Sequence, residues 1–189
     1  AKRSKSRKYR IDNELFTAIA TNDDEKLTRL IKDGADINQT ESVDGRTPAY
    51  TAADYGHEGC LSLLIEAGAD LNQVSSSDRT PAYTASEKGH EVCLSLLIDA
   101  GADLNKAEST NGYTPVYIAS EKNHEKCLSL LIGANADLNK ASSDGRTPVY
   151  IASEKGHEGC LSLLIGANAD LNKAESVHSY TPVYIASEK

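Results

Sequence analysis

The 189-residue sequence lacks several features that mark common functional classes. No stretch approaches the roughly twenty apolar residues that a membrane-spanning helix needs, and no secretory signal is visible from Ala1 onward. A glycine-rich phosphate loop, a cluster of metal ligands and a nucleophile motif are also missing. These absences argue against a membrane protein and against an enzyme, and nothing in the sequence predicts a cofactor or a bound metal.

The sequence does contain an internal repeat of 33 or 34 residues. Three residue types recur at fixed positions in this unit, which indicates one structural module copied several times. A longer period of 67 residues, marked by Glu-Ser at 41, 108 and 175, indicates a duplicated pair of units. The recurring residues are Thr-Pro at 47, 80, 114, 147 and 181, cysteine at 60, 93, 127 and 160, and histidine at 57, 90, 124 and 157.

The sequence of each unit predicts two short helices followed by a polar turn. In residues 47–72, Thr47 caps the first helix through its hydroxyl, and Pro48 takes the first helical position, where no N–H is needed. The second helix carries an apolar face that runs from Cys60 to Ile65. Most of the polar stretches that follow hold Asp-Gly or Asn-Gly, which favours a hairpin turn.

The positions that end these helices are all glycine or asparagine. Both residues tolerate the left-handed backbone conformation, so their use predicts a positive φ at every helix end. The first helices end at Asn22, Gly56, Gly89, Asn123 and Gly156, and the second helices end at Gly34, Gly68, Gly101, Asn135 and Asn168.

A 33-residue unit with Thr-Pro, Gly-His and Gly-Ala-Asp-Leu-Asn at these positions resembles the ankyrin repeat, from about Ile11 to Lys189. The resemblance implies an all-α ankyrin-repeat solenoid of stacked helix-turn-helix units with β-hairpin loops. Helices this short are unstable alone in water, so they must stack on their neighbours. Where the family usually has Leu-His after Thr-Pro, this chain has Ala-Tyr or Val-Tyr. We therefore expect a stacked tyrosine row, formed by Tyr50, Tyr83, Tyr117, Tyr150 and Tyr184.

The repeats predict one elongated domain over residues 11–189. Its first unit, 11–43, has Asp23 in place of the histidine and Lys26 in place of the cysteine, as expected of a polar capping repeat. The last unit, 178–189, stops before a second helix, so we expect the array to continue in a longer parent chain and its exposed end to pair end to end with another molecule. Full repeats are predicted at 44–76, 77–110, 111–143 and 144–177.

Charge separates the two ends of the sequence. Residues 1–10 hold six Lys or Arg and no acid, which predicts a disordered basic tail. The rest of the chain has 14 basic and 28 acidic residues, so the repeat body should repel nucleic acid. Contact with nucleic acid or anionic lipid is expected only through the tail, whose composition equally fits a nuclear-import signal.

The cysteines are interpreted as core residues rather than as crosslinks. Equivalent residues of stacked units lie about 8–10 Å apart, whereas a disulfide needs Cα atoms within about 7 Å and zinc needs ligands around one point. Buried reduced thiols predict an intracellular protein, cytoplasmic or nuclear. The histidines lack a converging nucleophile, and the ankyrin resemblance implies that they tie neighbouring loops together.

Comparison between the repeats identifies the surface that varies. Core positions barely change, whereas the residue before each Thr, the turn tips and the ends of the first helices differ. In ankyrin-like proteins the tips and first helices line a concave partner-binding surface, and Tyr and Arg often anchor interfaces. We therefore predict a non-catalytic scaffold that binds a partner protein of unknown identity. The predicted contact residues are Val43, Asp44, Arg46, Asp54, Tyr55, Asp78, Arg79, Glu87, Lys88, Asn111, Tyr113, Glu121, Lys122, Asp144, Arg146, Glu154, Lys155, His178 and Tyr180.

Other interpretations stay open at this point. The basic tail is an alternative contact region, and the chain also fits an adaptor or targeting segment of a larger protein or assembly. Near-identical copies fit an engineered array as well, although the cysteines and the alternating loop lengths favour natural duplication.

Deleting residues 1–10 should leave the melting temperature almost unchanged, because an unfolded segment contributes no packing. Thermal unfolding of the full and shortened chains, followed by circular dichroism at one salt concentration, measures this. A drop of many degrees would show that the tail packs on the repeats.

Overall fold

A computed structural model of the protein describes residues 13–173 and 180–187. The predicted tail and His178 lie outside these ranges. The described helices alternate between a first helix, which follows the turn, and a second helix. They are α1 (13–20), α2 (Asp24–Lys32), α3 (Pro48–Tyr55), α4 (Glu58–Glu66), α5 (Pro81–Lys88), α6 (Glu91–Asp99), α7 (Pro115–Glu121), α8 (Glu125–Gly133), α9 (Pro148–Lys155), α10 (Glu158–Gly166) and α11 (Pro182–Ser187).

The helices stack in two rows. Helices α3, α5, α7, α9 and α11 each pack against the next helix in that order, and α2, α4, α6, α8 and α10 form the second row in the same way. In each of the four pairs from α3/α4 to α9/α10, the first helix also packs on the second. This is the predicted all-α repeat solenoid, in which every unit contacts its neighbours along the stack.

The first helices begin as the Thr-Pro motif predicts. In α3 the Thr47 hydroxyl oxygen accepts a hydrogen bond from the N–H of Tyr50 at 3.1 Å, and Pro48 occupies the first helical position. The same cap forms at the start of the four later first helices, with N–H to oxygen distances of 3.1–3.3 Å. The threonine cap satisfies an N–H group that the first turn of a helix leaves without a backbone partner.

The helix ends also confirm the sequence prediction. All ten Gly and Asn positions have positive φ, between 54° at Asn22 and 83° at Gly34 and Gly68. The residue after each of these positions donates its N–H back into the helix, for example from His57 to the Ala52 carbonyl at 3.0 Å and from Ala69 to the Leu64 carbonyl at 3.0 Å. These bonds satisfy carbonyls that the last turn would otherwise leave exposed.

The core lies between the two rows of helices. Leucine, alanine and cysteine side chains fill it, including Leu61 and Leu64 of α4 and the four cysteines, which are buried and free. Burial raises the pKa of Cys93, Cys127 and Cys160 to about 11. These observations confirm that the cysteines are core residues.

Side chains from the Gly-Ala-Asp-Leu-Asn segments form a polar ladder along the stack. The Asn38 side-chain oxygen accepts the backbone N–H of Asp70, one repeat later, at 2.8 Å. Asn72, Asn105 and Asn139 accept in the same way from the following repeat at 2.7–2.8 Å. Each step of the stack is therefore fixed by a hydrogen bond as well as by packing.

The turns between units are tight, and no residue in the described ranges is assigned to a β-strand. Backbone hydrogen bonds close each turn, such as those from the Glu41 N–H to the Arg46 carbonyl at 2.9 Å and from the Ser75 N–H to the Arg79 carbonyl at 3.0 Å. The predicted β-hairpin loops are thus short turns, because the flanking segments are too brief to build a ladder. None of the described helices has the length and apolar character needed to cross a bilayer.

Replacing Asn135 by valine should lower the free energy of unfolding by about 1 kcal/mol or more, because a β-branched residue tolerates φ of +58° poorly. Asn135→Gly is the matched control and should be neutral or slightly stabilising, since glycine adopts this conformation freely. Urea denaturation of both variants measures the difference. If Asn135→Val and Asn135→Gly lower the free energy of unfolding equally, the side chain of Asn135 is what stabilises the protein, and the backbone explanation is wrong.

Candidate functional site

The predicted contact residues fall at three places in each repeat: the turn tip, the residue before Thr, and the last turn of the first helix. We call the surface formed by these places the first-helix surface. Two of the places are joined directly by ion pairs. Nη1 of Arg46, Arg79 and Arg146 lies 3.2–3.3 Å from a carboxylate oxygen of Asp54, Glu87 and Glu154, respectively.

Each of these arginines also covers the tyrosine of its own repeat. The guanidinium carbons of Arg46, Arg79 and Arg146 lie 5.6, 5.2 and 5.5 Å from the ring centroids of Tyr50, Tyr83 and Tyr150. A cation over the face of an aromatic ring at this distance is stabilised by the ring's negative face. Each guanidinium therefore contacts a ring and a carboxylate of its own repeat.

The third repeat has a tyrosine where the others have this arginine. The Tyr113 ring stacks on Tyr117, with 4.2 Å between centroids and an interplanar angle of 11°. The prediction that the tyrosines stack on one another along a row is therefore wrong for Tyr50, Tyr83 and Tyr117. The residue four positions earlier in the same repeat covers each ring, because both residues lie on one side of the start of the helix.

Glu108 shapes the tip of the third repeat, and the sequence interpretation did not include it among the site residues. The residue is only 3% exposed, and its carboxylate accepts hydrogen bonds from the backbone N–H groups of Thr110 at 2.8 Å, Asn111 at 2.7 Å and Tyr113 at 3.3 Å. Burial by itself raises the pKa of Glu108, but the backbone donors outweigh it and the pKa is lowered. An acid that recurs with the 67-residue period, at 41, 108 and 175, was the available signal.

Neighbouring turn tips are also bonded to one another. The Ser76 N–H donates to the Asp44 carbonyl at 2.9 Å, and the Ser143 N–H donates to the Asn111 carbonyl at 2.7 Å. At Gly112, with φ of +73°, an added Cβ would lie 3.1 Å from the Ser143 nitrogen. This approach and the positive φ explain the glycine, and the bonds order the tips in pairs.

The ends of the first helices carry further predicted residues. Asp54 pairs with Arg46 and also with Lys88 of the next repeat, at 3.7 Å. Tyr55 is half exposed and stacks on the His57 ring, with 5.5 Å between centroids. The ion pair between Lys88 and Asp54 spans two repeats, so the first-helix surface is continuous there.

The repeated histidines hold these helix ends in place. His90, His124 and His157 each bind through Nε2 to a carbonyl of the preceding first helix, at 3.0–3.2 Å. The accepting carbonyls belong to Asp54, Glu87 and Glu121, whose side chains lie on the first-helix surface. His57 makes the equivalent bond through Nδ1 to the Ile19 carbonyl at 2.7 Å. The structural role implied by the resemblance is confirmed.

The remaining predicted residues lie at the turn tips, before Thr181 and at the end of α9. Val43 is 85% exposed at the first tip, and Tyr180 stacks on Tyr184 with 4.6 Å between centroids. Asp44 and Asp144 pair with Arg46 and Arg146 at 3.3 and 3.2 Å. Asp78, with φ of +55°, takes the position that glycine holds in the other described turns, and Lys155 is exposed at the end of α9.

The described surface carries side chains that can form polar and ring contacts. Within residues 13–173 and 180–187 no group of three or more His, Cys, Asp or Glu side chains is arranged to hold a metal ion. The first-helix surface presents guanidinium groups, phenol rings and carboxylates, many of them already fixed by contacts within their own repeat. Such groups form oriented hydrogen bonds, ion pairs and ring contacts.

Short helix pairs that stack in two rows, with a turn between pairs, define a helical repeat protein. A family model described as ankyrin repeats (3 copies) matches residues 15–108 and again residues 105–175. The two matches cover most of the chain, so the chain belongs to the ankyrin repeat family.

Replacing Glu108 by glutamine should destabilise the protein at neutral pH by about 1–3 kcal/mol, because three backbone N–H groups of the turn lose a charged acceptor. A lowered folded-state pKa gives stability that is present above the ordinary Glu pKa of about 4.3 and is lost as pH falls through the lower folded value. The difference between wild type and Glu108→Gln should therefore shrink below about pH 4.3.

Chemical denaturation at several pH values measures this difference. The control is Glu41→Gln in the first turn, since the Glu41 carboxylate accepts no backbone N–H among the described residues. A Glu108→Gln deficit that stays constant with pH would contradict a charged Glu108 as the anchor of this tip.

Proposed function

We propose that this chain is a non-catalytic scaffold that binds a partner protein along its first-helix surface, which is the concave surface in ankyrin-like proteins. Ankyrin repeats are generally protein–protein interaction modules. The observation that carries the proposal is the fixed arrangement of Arg46, Arg79 and Arg146 between a ring and a carboxylate. Side chains that are ordered before binding lose less conformational entropy when a partner arrives.

Charge on the first-helix surface supports a protein partner rather than a polyanion. Its predicted contact residues include seven carboxylates and six basic side chains, so this surface is almost balanced while the repeat body as a whole is strongly acidic. A balanced surface of aromatic and paired charged groups suits protein recognition. Nucleic acid would be repelled by the surrounding acid.

The four buried, unpaired cysteines support a reducing compartment as the place of action. Proteins of oxidising compartments commonly pair their cysteines in disulfides, whereas free thiols are usual in a reducing one. We propose an intracellular location on this basis.

Replacing Tyr55, Arg79 and Tyr113 together by alanine should abolish or strongly reduce capture of the specific partner, because large contact groups of three repeats are removed. Pull-down from the native source with residues 11–189 as bait, analysed by mass spectrometry, measures the loss. Melting curves of each bait exclude unfolding as the cause.

The matched control carries alanine at Val92, Lys126 and Glu158, which are exposed on second helices. This control should retain the partner. If the first-helix variant recovers the partner as well as wild type while the control loses it, the partner binds the opposite face and the proposed surface is wrong.

A further inference from the structure

The arginine repeats show how this fold holds a guanidinium group. In the second repeat the Arg79 guanidinium lies over Tyr83 and pairs with Glu87 at 3.2 Å. The first and fourth repeats reproduce both contacts. Three copies of one arrangement give an internal template for a cation site made of a ring and a carboxylate at the end of the first helix.

The third repeat keeps the ring and the carboxylate but not the cation. Tyr113 takes the place of the arginine and stacks on Tyr117, so the outer ring is now Tyr113 itself. Glu121 occupies the position of Glu87 and Glu154 in the sequence. The third repeat therefore presents an aromatic ring and a carboxylate without the guanidinium that joins them elsewhere.

Glu121 has only a weak substitute for that guanidinium. Its ion pair is with the adjacent Lys122 at 3.6 Å, and the Lys122 side chain is 46% exposed, against 20% for Glu121. An exposed lysine at this distance contributes little and is readily displaced. The carboxylate is thus available to a stronger partner from outside.

The electrostatic environment of the ring pair is negative. Burial raises the pKa of Tyr113, a side-chain hydrogen bond with Tyr117 lowers it, and the carboxylates of Glu121 and Asp144 raise it. Arg146 pairs with Asp144 at 3.2 Å and reduces that effect without removing it. A negative potential beside the partly exposed Tyr113 ring favours a cation over an anion.

We propose that the third repeat binds an arginine side chain of the partner protein, which stacks on Tyr113 and pairs with Glu121. This inference rests on the proposed function and names the chemistry that the first-helix surface recognises. Arginine fits better than lysine because its planar guanidinium stacks on a ring and pairs with a carboxylate at the same time. A phosphorylated segment would be repelled by Glu121 and Asp144.

Probe compounds test this site without a known partner. N-acetyl-arginine amide is titrated into protein with ¹³C-labelled tyrosine rings, and N-acetyl-citrulline amide serves as the neutral control of the same shape. The arginine probe should shift the Tyr113 and Tyr117 signals in a saturable way, and citrulline should not. Similar shifts from both probes would overturn the proposal.

Two variants test whether the arginine probe binds at Glu121 and Tyr113. Glu121→Gln should weaken binding of the arginine probe by about two- to fivefold, the scale of an exposed ion pair. Tyr113→Arg should abolish binding, because the chain's own guanidinium would then fill the site as Arg79 does. Unchanged binding in both variants would place the probe elsewhere and overturn the proposal. Melting curves of each variant verify folding.

A gain of binding gives an independent test. Arg79→Tyr reproduces the third-repeat arrangement in the second repeat and releases Glu87, so a second set of saturable shifts should appear at Tyr83. Retention of a single site would show that the tyrosine pair only covers the core, which contradicts the proposal.

Failure of this inference is distinguishable from failure of the proposed function. If Tyr113→Arg retains the captured partner while the triple alanine variant loses it, the first-helix surface binds the partner but not through an arginine at Tyr113. If the arginine probe binds as expected but the triple alanine variant keeps the partner, the cation site is real and the proposed partner surface is wrong.

Discussion

Burial between neighbouring helix pairs is the constraint on which the rest of this structure depends. Helices α2 to α10 have only seven to nine residues each, too few to be stable alone in water. Each helix therefore gains its stability from the adjacent unit, through side chains such as Cys60, Leu61 and Leu64. The hydrogen bonds from the histidines and from the asparagine ladder each join one repeat to the next, so they orient neighbouring repeats relative to one another.

This stacking explains why the first-helix surface is orderly although it is made of turns and helix ends. The His124 ring holds the Glu87 carbonyl, and the bond from Ser143 to Asn111 fixes two tips together. Side chains on successive repeats consequently face the same side at regular spacing. Arg79 and Tyr113 make their ring and carboxylate contacts within their own repeats, so we expect a substitution at either residue to change this surface in one unit and to leave the stacking contacts in place.

Local backbone requirements made the fold predictable, and side-chain geometry limited what could be predicted of the site. A threonine before proline favours a helix start, and an asparagine at a helix end favours a positive φ. Both preferences are local, so the caps and the positive φ values were readable from sequence. The contact between Arg79 and Glu87 spans eight residues and depends on rotamers above Tyr83. Glu108 looked like an ordinary loop acid, because its burial follows from the turn that wraps around it.

Arginine precedes Thr after both turn lengths, so turn length does not fix the residue before Thr, and this matters for how the repeats diverge. Turns one and three both close over six residues, from Glu41 to Arg46 and from Glu108 to Tyr113, whereas the turn from Ser75 to Arg79 closes over five. The longer turn thus carries arginine in one copy and tyrosine in another. Its extra residue sets the shape of the tip, while the residue before Thr decides whether a guanidinium of the same repeat pairs with the carboxylate of the first helix. Two separate substitutions can therefore tune shape and charge in each repeat while the stacked core remains the same.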